Sequence, residues 1–513
     1  MKQPKNTIAY LAMFCLCLVL GQDAFAQGYD NPLSMQGLNR TTTPSVSSRA
    51  AGGTMLGIKN DASLMFSNPA MLGSLQGLQL SLGGLQQSTY SKQDQRYGGI
   101  QSHSAFSPLV EGTTGLLSNP DTTKFYGTTQ VRVIDQSDSV QRPFDNLGPN
   151  WNRSKSNSAP VQAFLAAPFS LKDVRVVLGV GFVEYANLNW YYQNNNCFSP
   201  SVLSVLNGTI ATSGLNANPY LTQWYQYYQQ RDGSIKGYGA ALSVALSDQF
   251  SLGASGLILE GSTDDSEVRV GRGRMLFFTS SLRLDKQGML SYAKTGTSDY
   301  SGKEFTLGGT YTGQSFTAGF SVKPPTVITR KFSSSSSLDS VTTVSKLSSR
   351  VDSLHFRSTT SSSGEDKINL PLRASLGVSI AVRPDFTIGI EYEIRPYSSA
   401  TYTDAGGQEI NPWLSASLWH AGAQYRANSW LIVRGGVSEN AEVFQPLSKA
   451  IRGEPIKYPV YSLGGEMNIA SLRVNVTYEY SDMKFIDTWS NAVSINREIR
   501  NNLIASLSYQ IPW

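Results

Sequence analysis

Residues 372–394, LRASLGVSIAVRPDFTIGIEYEI, decide the fold class because apolar and polar residues alternate on both sides of a short turn. Successive side chains of a β-strand point to opposite faces, so this pattern predicts two antiparallel strands joined at residues 383–385. The same alternation can be followed back to Ile368. We therefore predict that Ile368 and Leu370 share the apolar face of the first strand.

The same two-residue period recurs from Leu78 to the carboxyl end. One strand, six hairpins with short turns and one final strand give about fourteen strands, and an even number places both chain ends on one side of a membrane. The other alternating segments are residues 78–82, 161–169, 174–185, 238–246, 250–260, 305–311, 316–322, 419–425, 431–437, 461–469, 472–480 and 503–513.

Composition fits a membrane protein that crosses with strands. Only 15% of the residues are charged and mean hydropathy is −0.21, which excludes a protein with many membrane helices. The formal net charge of +5 over 513 residues is too small to suggest nucleic-acid binding. We predict an all-β fold, a transmembrane antiparallel β-barrel of about 14 strands with an N-terminal hatch (plug). A secreted β-sandwich or solenoid is the alternative.

The first 26 residues read as a secretory signal peptide. Lys2 and Lys5 precede an apolar stretch at residues 8–20, and residues 24–26 (Ala-Phe-Ala) fit a cleavage site. This predicts a bacterial outer-membrane location, with a hatch at residues 27–76 and the barrel at residues 77–513. Long extracellular loops are predicted at residues 89–159, 187–236, 261–303 and 332–366, and the weakly patterned residues 268–284 are assigned to the third loop.

The predicted hatch contains a compact segment at residues 57–73. Asp61 is a good N-cap for a first helical turn, and Pro69 ends that turn because it lacks an amide donor and disfavours helix at Asn68. The segment is too small to have a core of its own. It therefore needs a container, and the predicted barrel provides one.

The tripeptide Asn68-Pro69-Ala70, just before the first strand, resembles the hatch of the FadL/TodX-type family of outer-membrane transporters. The hairpin at residues 368–395, with residues 424–426 (Gln-Tyr-Arg) and 434–436 (Arg-Gly-Gly), is also similar to that family. The resemblance implies a 14-strand plugged barrel that takes up hydrophobic compounds, such as long-chain fatty acids or hydrocarbons. It also implies that Asp61, Asn68, Pro69 and Ala70 form the hatch or gate.

Candidate ligand-binding residues follow from the same hypothesis. Tyr225 and Tyr228 belong to an aromatic run that could provide an apolar landing site, or could instead form an interfacial girdle. Arg373, Arg395 and Arg434 occupy the polar faces of their strands. They could meet a substrate carboxylate, or pair with glutamates inside the lumen.

Catalytic chemistry finds no support in the sequence. The three histidines are dispersed, and Cys197 is the only cysteine beyond the signal peptide, so we predict no enzyme, cofactor or metal site. The expected partners are outer-membrane lipids and a hydrophobic small molecule, with no nucleic acid. A terminal strand ending at Trp513 looks like the recognition signal for the barrel-assembly machinery, and we expect a monomer. The alternative function is a scaffold or shuttle of a secretion system, like PorV-type barrels.

Overall fold

The computed structural model describes residues 37–41, 45–97, 147–172, 174–200, 202, 210, 212–279, 282–285, 289–344, 352–443, 455–489 and 492–512. The predicted signal peptide, the first part of the predicted hatch and Trp513 lie outside these residues. Strands are numbered β1 to β20 in chain order. None of the described helices is both long enough and apolar enough to cross a bilayer.

Fourteen antiparallel strands form a closed wall, which confirms the predicted barrel and its strand number. Closure comes from β1 and β20, which pair continuously from Gly77 with Pro512 to Tyr97 with Ala492. Bilayer hydrocarbon offers no hydrogen-bond partner to a backbone N–H or C=O group, so only a closed wall can pair the backbone groups of every strand. The wall consists of β1 Gly77–Tyr97, β2 Trp151–Leu171, β3 Val174–Asn187, β5 Tyr220–Ala245, β6 Phe250–Phe277, β8 Met289–Thr312, β9 Phe316–Lys323, β12 Arg373–Arg383, β13 Phe386–Ile394, β16 Leu418–Arg426, β17 Leu431–Glu442, β18 Ile456–Ile469, β19 Leu472–Trp489 and β20 Ala492–Pro512.

The other six described strands lengthen the wall at its extracellular end. Strand β4 continues β3 along β5, and β7 pairs with the end of β6. Strands β10 and β11 form a hairpin that pairs with β8, and β14 and β15 lie beside the base of β11. Their bounds are β4 Trp190–Ser199, β7 Leu282–Asp285, β10 Thr326–Val344, β11 Asp352–Leu370, β14 Thr401–Thr403 and β15 Glu409–Ile410.

An apolar belt encircles the outside of the wall. Leu463 is 63% exposed, Ile390 61% and Phe305 60%, which would be unfavourable in water but suits lipid. Above the belt the outward residues of β2 are polar, as at Asn152 and Ser154. Aromatic side chains mark the borders of the belt, among them the ring pair of Phe182 and Tyr238 at 5.4 Å.

The segments predicted as long loops are largely strands. Strands β5 and β6 remain paired up to Tyr220 with Phe277, so residues 268–277 lie in a strand and not in the predicted third loop. The serine-rich residues 333–337 pair with residues 359–363 inside the predicted fourth loop. In the β10–β11 hairpin both faces are largely open to water, so no apolar face alternates with a polar one, and the pattern that identified the other strands is missing. The outer part of β6 buries Met275 and Phe277, but arginines and glycines interrupt its alternation.

One predicted strand face is wrong. Ile368 and Leu370 are buried, at 2% and 0% exposure, whereas Leu372 is 48% exposed on the outside. The ladder between β10 and β11 ends at Thr326 with Leu370, and that between β9 and β12 begins at Lys323 with Arg373. The residues between them include Pro324, Pro325 and Pro371. Proline donates no ladder hydrogen bond, so the pleat is interrupted and its sidedness reverses there.

Residues 45–76, called here the hatch segment, lie inside the barrel. They contain a short helix, α1 (Val46–Ala50), and two 3₁₀ turns at Ala62–Leu64 and Pro69–Ser74. Helix α1 contacts β17 to β20, whereas the turn at Pro69–Ser74 contacts β3, β5, β6 and β8. The hatch segment therefore touches the inner wall on opposite sides.

The position of the belt can be tested with Leu463→Arg. Leu463 lies six residues before the end of β18 at Ile469, about halfway up a belt roughly 25 Å tall. We expect this variant to lose about 2–4 kcal/mol of unfolding free energy in lipid vesicles, measured by urea titration, because arginine is exposed to hydrocarbon near the midplane. Asn152→Arg, above the belt, should change it by less than about 0.5 kcal/mol. Equal losses would contradict the placement.

Candidate functional site

The hatch segment is held in shape by its own capping residues. Ser45 caps α1 by accepting a hydrogen bond from the Ser48 amide, and its hydroxyl donates to Asp61 at 3.0 Å. Asp61 also accepts hydrogen bonds from the Ser63 amide and hydroxyl, at 2.9 and 2.6 Å. Asn68 accepts from the Ala70 amide at 3.2 Å. Two side chains of the predicted gate thus cap the turns of the hatch segment.

The hatch segment approaches the wall so closely that glycine is required opposite it. A Cβ atom added to Gly308 would lie 2.1 Å from the Asn68 side-chain oxygen. One added to Gly422 would lie 2.0 Å from the Ala51 carbonyl oxygen. Backbone and Cβ atoms cannot overlap in this way, so any side chain at Gly422 has to displace the hatch segment or the strand.

Buried carboxylates of the wall fasten the hatch backbone. Glu391 accepts hydrogen bonds from the amides of Met55 and Leu56, the second at 2.9 Å. Arg49 forms a two-pronged ion pair with Glu479. Such charge-assisted hydrogen bonds are about twice as strong as neutral ones, so both glutamates fix the hatch segment to the barrel.

A cavity of about 220 Å³ with a mixed polar and apolar lining lies above the hatch segment. Its floor includes Arg49, Gly52 and Gly53, and its upper part includes Trp190 and Tyr458. Wall residues from β1, β2 and β16 to β20 surround it. The cavity therefore occupies the lumen between the hatch segment and the outer mouth.

The wall beside this cavity is interrupted between β2 and β3. Their ladder runs from Leu171 with Val174 to Gln162 with Val183, and within the described residues it goes no further. Residues 151–160 of β2 pair with β1 only, while β3 and β4 follow β5. We call this interruption the β2–β3 gap.

Side chains and the backbone at Thr41 span the β2–β3 gap. The Trp151 indole donates to the Gln193 carbonyl at 3.0 Å, the Arg153 guanidinium lies 3.8 Å from the Tyr191 ring, and Lys155 pairs with Asp232. Ahead of the hatch segment, Thr41 forms an isolated β-bridge with Ala186, on the edge that β2 leaves unpaired. Arg153, Lys155 and Thr41 all line the cavity, so it reaches this opening.

An outer aromatic cluster closes the mouth above the cavity. It joins β4 and β5 on one side to β18 and β19 on the other, and its buried members are Trp190, Tyr192, Cys197, Tyr225, Tyr227, Ile456, Tyr458, Met483 and Phe485. Tyr225 belongs to the cluster, whereas Tyr228 is half-buried and lies outside it. Burial raises the pKa of the Cys197 thiol well above its usual range, so it remains protonated and unreactive.

The three predicted ligand arginines are each paired with a glutamate. Arg373 donates to Glu304 at 2.6 Å, Arg395 to Glu393 at 2.8 Å, and Arg434 to Glu466 at 2.7 Å. Arg373 and Arg395 line a small cavity of about 60 Å³ beside the hatch segment, which Arg434 does not reach. Their role toward a substrate stays a prediction.

Sequence reasoning did not identify the residues that fasten the hatch segment. Glu391 and Glu479 are two of many glutamates on strand faces, and nothing local distinguishes them. Their hydrogen-bond partners lie 336 and 430 residues away, at Met55 and Arg49. The glycines opposite the hatch carry a weak signal, because isolated glycines within strands often mark a close backbone approach.

Comparison with known proteins supports the fold. No protein-family model and no curated protein matches this chain. Among solved structures, a FadL homologue from Pseudomonas aeruginosa superposes with a TM-score of 0.52 at 13% identity, covering 93% of this chain and 99% of that one. The toluene transporter TodX from P. putida gives 0.52 at 15% identity, over 93% of this chain and 100% of its own.

A TodX deletion mutant, described as a monoaromatic hydrocarbon channel, gives a TM-score of 0.53 at 14% identity, over 93% of this chain and 100% of that one. Identities this low show a shared fold. The predicted resemblance to FadL/TodX-type barrels is therefore confirmed at the level of the fold. Within the described residues, no group of three or more His, Cys, Asp or Glu is placed to hold a metal ion.

The close contact at Gly422 can be tested with Gly422→Ala. The added methyl group would overlap the Ala51 carbonyl, so we expect a displaced hatch segment and faster entry of arabinose in a liposome-swelling assay. Gly435→Ala is the matched control on the neighbouring strand, because its Cβ would meet nothing closer than 3.8 Å. If both variants swell at the wild-type rate, the hatch segment does not limit passage.

Proposed function

We propose that this chain is an outer-membrane transport barrel that takes up hydrophobic compounds and releases them sideways through the β2–β3 gap. The observation that carries the proposal is the interruption of the wall beside a cavity, above a tightly fastened hatch segment. Passage through the barrel floor would require the hatch segment to give up its contacts with the wall, such as those of Glu391 and Glu479. A lateral opening leads an apolar compound back to lipid, where its transfer from water is favourable.

The route begins at the outer aromatic cluster. Aromatic side chains present large apolar areas, and this cluster lies at the mouth that faces the outside. Below the β2–β3 gap the outward residues of β3 are apolar, and Val180 is 54% exposed. A compound leaving the gap therefore emerges just above the lipid-facing belt.

The low-identity neighbours agree with this proposal. TodX is named a toluene transporter, and its deletion mutant a monoaromatic hydrocarbon channel. The structural relatives above are thus transport proteins, which fits a function without catalysis. Outer-membrane location, a monomeric state and recognition of the last strand by the barrel-assembly machinery belong to the same proposal.

Uptake is tested in a Gram-negative host that lacks its own barrel of this kind. Cells producing the protein should take up the apolar dye 1-N-phenylnaphthylamine several-fold faster than cells with an empty vector. Hydrolysis of the polar reporter nitrocefin should not change, because the hatch segment blocks polar solutes. Acceleration of both would indicate a general leak, and acceleration of neither would contradict hydrophobic uptake.

The lateral route is tested by blocking the β2–β3 gap. Lys155 lines the cavity at this gap, so Lys155→Cys labelled with a bulky maleimide should lose most of the dye uptake. Ser156→Cys is the matched control, because the next residue of β2 points outward and is exposed. The buried Cys197 should not react. Equal uptake by the two labelled proteins would exclude this route.

A further inference from the structure

The cavity above the hatch segment has a mixed lining. Aliphatic and aromatic residues such as Leu85, Trp190 and Tyr458 provide apolar surface, and most of the other lining residues carry amide, hydroxyl or charged groups. An apolar ligand would remove water from these polar groups and give them no hydrogen bond in return. The compound that enters the cavity therefore needs a polar part.

The charged groups of the cavity already have partners. Arg40 pairs with Glu442 at 2.6 Å, and Arg49 pairs with Glu479. Arg395, Arg500 and Lys155 pair with Glu393, Glu498 and Asp232, respectively. A ligand carboxylate or ammonium would have to compete with these ion pairs in a desolvated site.

Arg153 is the exception among these cations, since it makes no ion pair with any described residue. Its guanidinium lies 3.8 Å from the Tyr191 ring and donates to the Gln230 side chain at 3.3 Å. A cation in this position can donate hydrogen bonds to a neutral oxygen as well as to an anion. It does not by itself select a charged ligand.

Several neutral polar side chains of this cavity have hydrogen-bonding groups available for a ligand. Thr89, Ser91 and Asn157 line it from β1 and β2, and Ser438 and Ser481 line it from β17 and β19. None of these five side chains hydrogen-bonds another described residue. They therefore present donors and acceptors to whatever fills the cavity, from one contiguous stretch of the wall between β17 and β2.

We propose that the transported compound is an amphiphile with a neutral, hydroxyl-rich head, such as an alkyl glycoside. The head lies in the cavity against these neutral side chains, and the apolar tail extends through the β2–β3 gap toward the lipid. This inference rests on the proposed uptake function and names its substrate class. Hydroxyl groups both donate and accept, so one head can satisfy amide, hydroxyl and guanidinium partners together.

The test compares ligands that share an octyl tail and differ in the head. Full-length mature protein in lipid nanodiscs is titrated by calorimetry with octyl glucoside, octanoate, octyltrimethylammonium and octanol, each below its micellar concentration. Empty nanodiscs supply the partition background. Octyl glucoside should show saturable binding about tenfold tighter than the other three, because only its head can donate to and accept from several of these neutral groups at once.

A matched pair of variants locates the binding. Asn157→Leu removes a neutral group that lines the cavity and should weaken glucoside binding about tenfold, leaving octanol unchanged. Asn152→Leu, on the outward face of the same strand, should bind like the wild type.

Equal affinity for octanoate, octanol and octyl glucoside would overturn the assigned head group, and so would the absence of saturable binding. Neither result would affect the dye-uptake assay, which tests the proposed function independently. Failure of dye uptake with intact glucoside binding would instead remove the transport role and leave a binding site.

Discussion

The structure depends on one constraint, that every backbone N–H and C=O group in contact with lipid hydrocarbon must be paired. The ladder between β1 and β20 meets it by closing the wall. The β2–β3 gap obeys the same rule. It begins only above Gln162 and Val183, where the outward residues of β2 become polar and the wall borders the cavity. An opening at this level does not expose unpaired backbone to hydrocarbon.

The sequence predicts the part of the fold in which the two faces of a strand meet different surroundings. Lipid on one side and a polar lumen on the other impose the two-residue period, which gave fourteen strands and the turn at residues 383–385. The period disappears where both faces meet water, as in β10 and β11, and these were predicted as loops. At Pro371 the inward and outward faces of the strand exchange. The sequence does not show this exchange, because a break in the ladder leaves the alternation of apolar and polar residues unchanged.

The candidate site was predicted less completely because its determinants are relations between distant residues. Asp61 was correctly predicted as the N-cap of a turn, since capping is a local property that the sequence displays. The ion pair of Arg373 with Glu304 joins residues 69 positions apart, and the β2–β3 gap is a missing pairing. Neither leaves a pattern along the chain. Polar residues on one face of a strand indicate a polar lumen, but they do not indicate which residue each of them contacts there.

The energetics of the hatch segment favour a lateral route over passage through the barrel floor. Among the described residues, fifteen hydrogen bonds join this segment to the wall, including those of Glu391, Glu479 and Arg473. At about 0.5–1.5 kcal/mol each, displacing the segment costs roughly 8–22 kcal/mol, as much as the stability of a whole domain. Beside the cavity, the β2–β3 gap is spanned by fewer contacts, those of Trp151 and Arg153 and the exposed pair of Lys155 with Asp232. Hydrogen bonds of Gln95 and Asn195 join its two edges farther out. Because exposed ion pairs contribute about 0–1 kcal/mol, the gap can widen while the hatch remains in place.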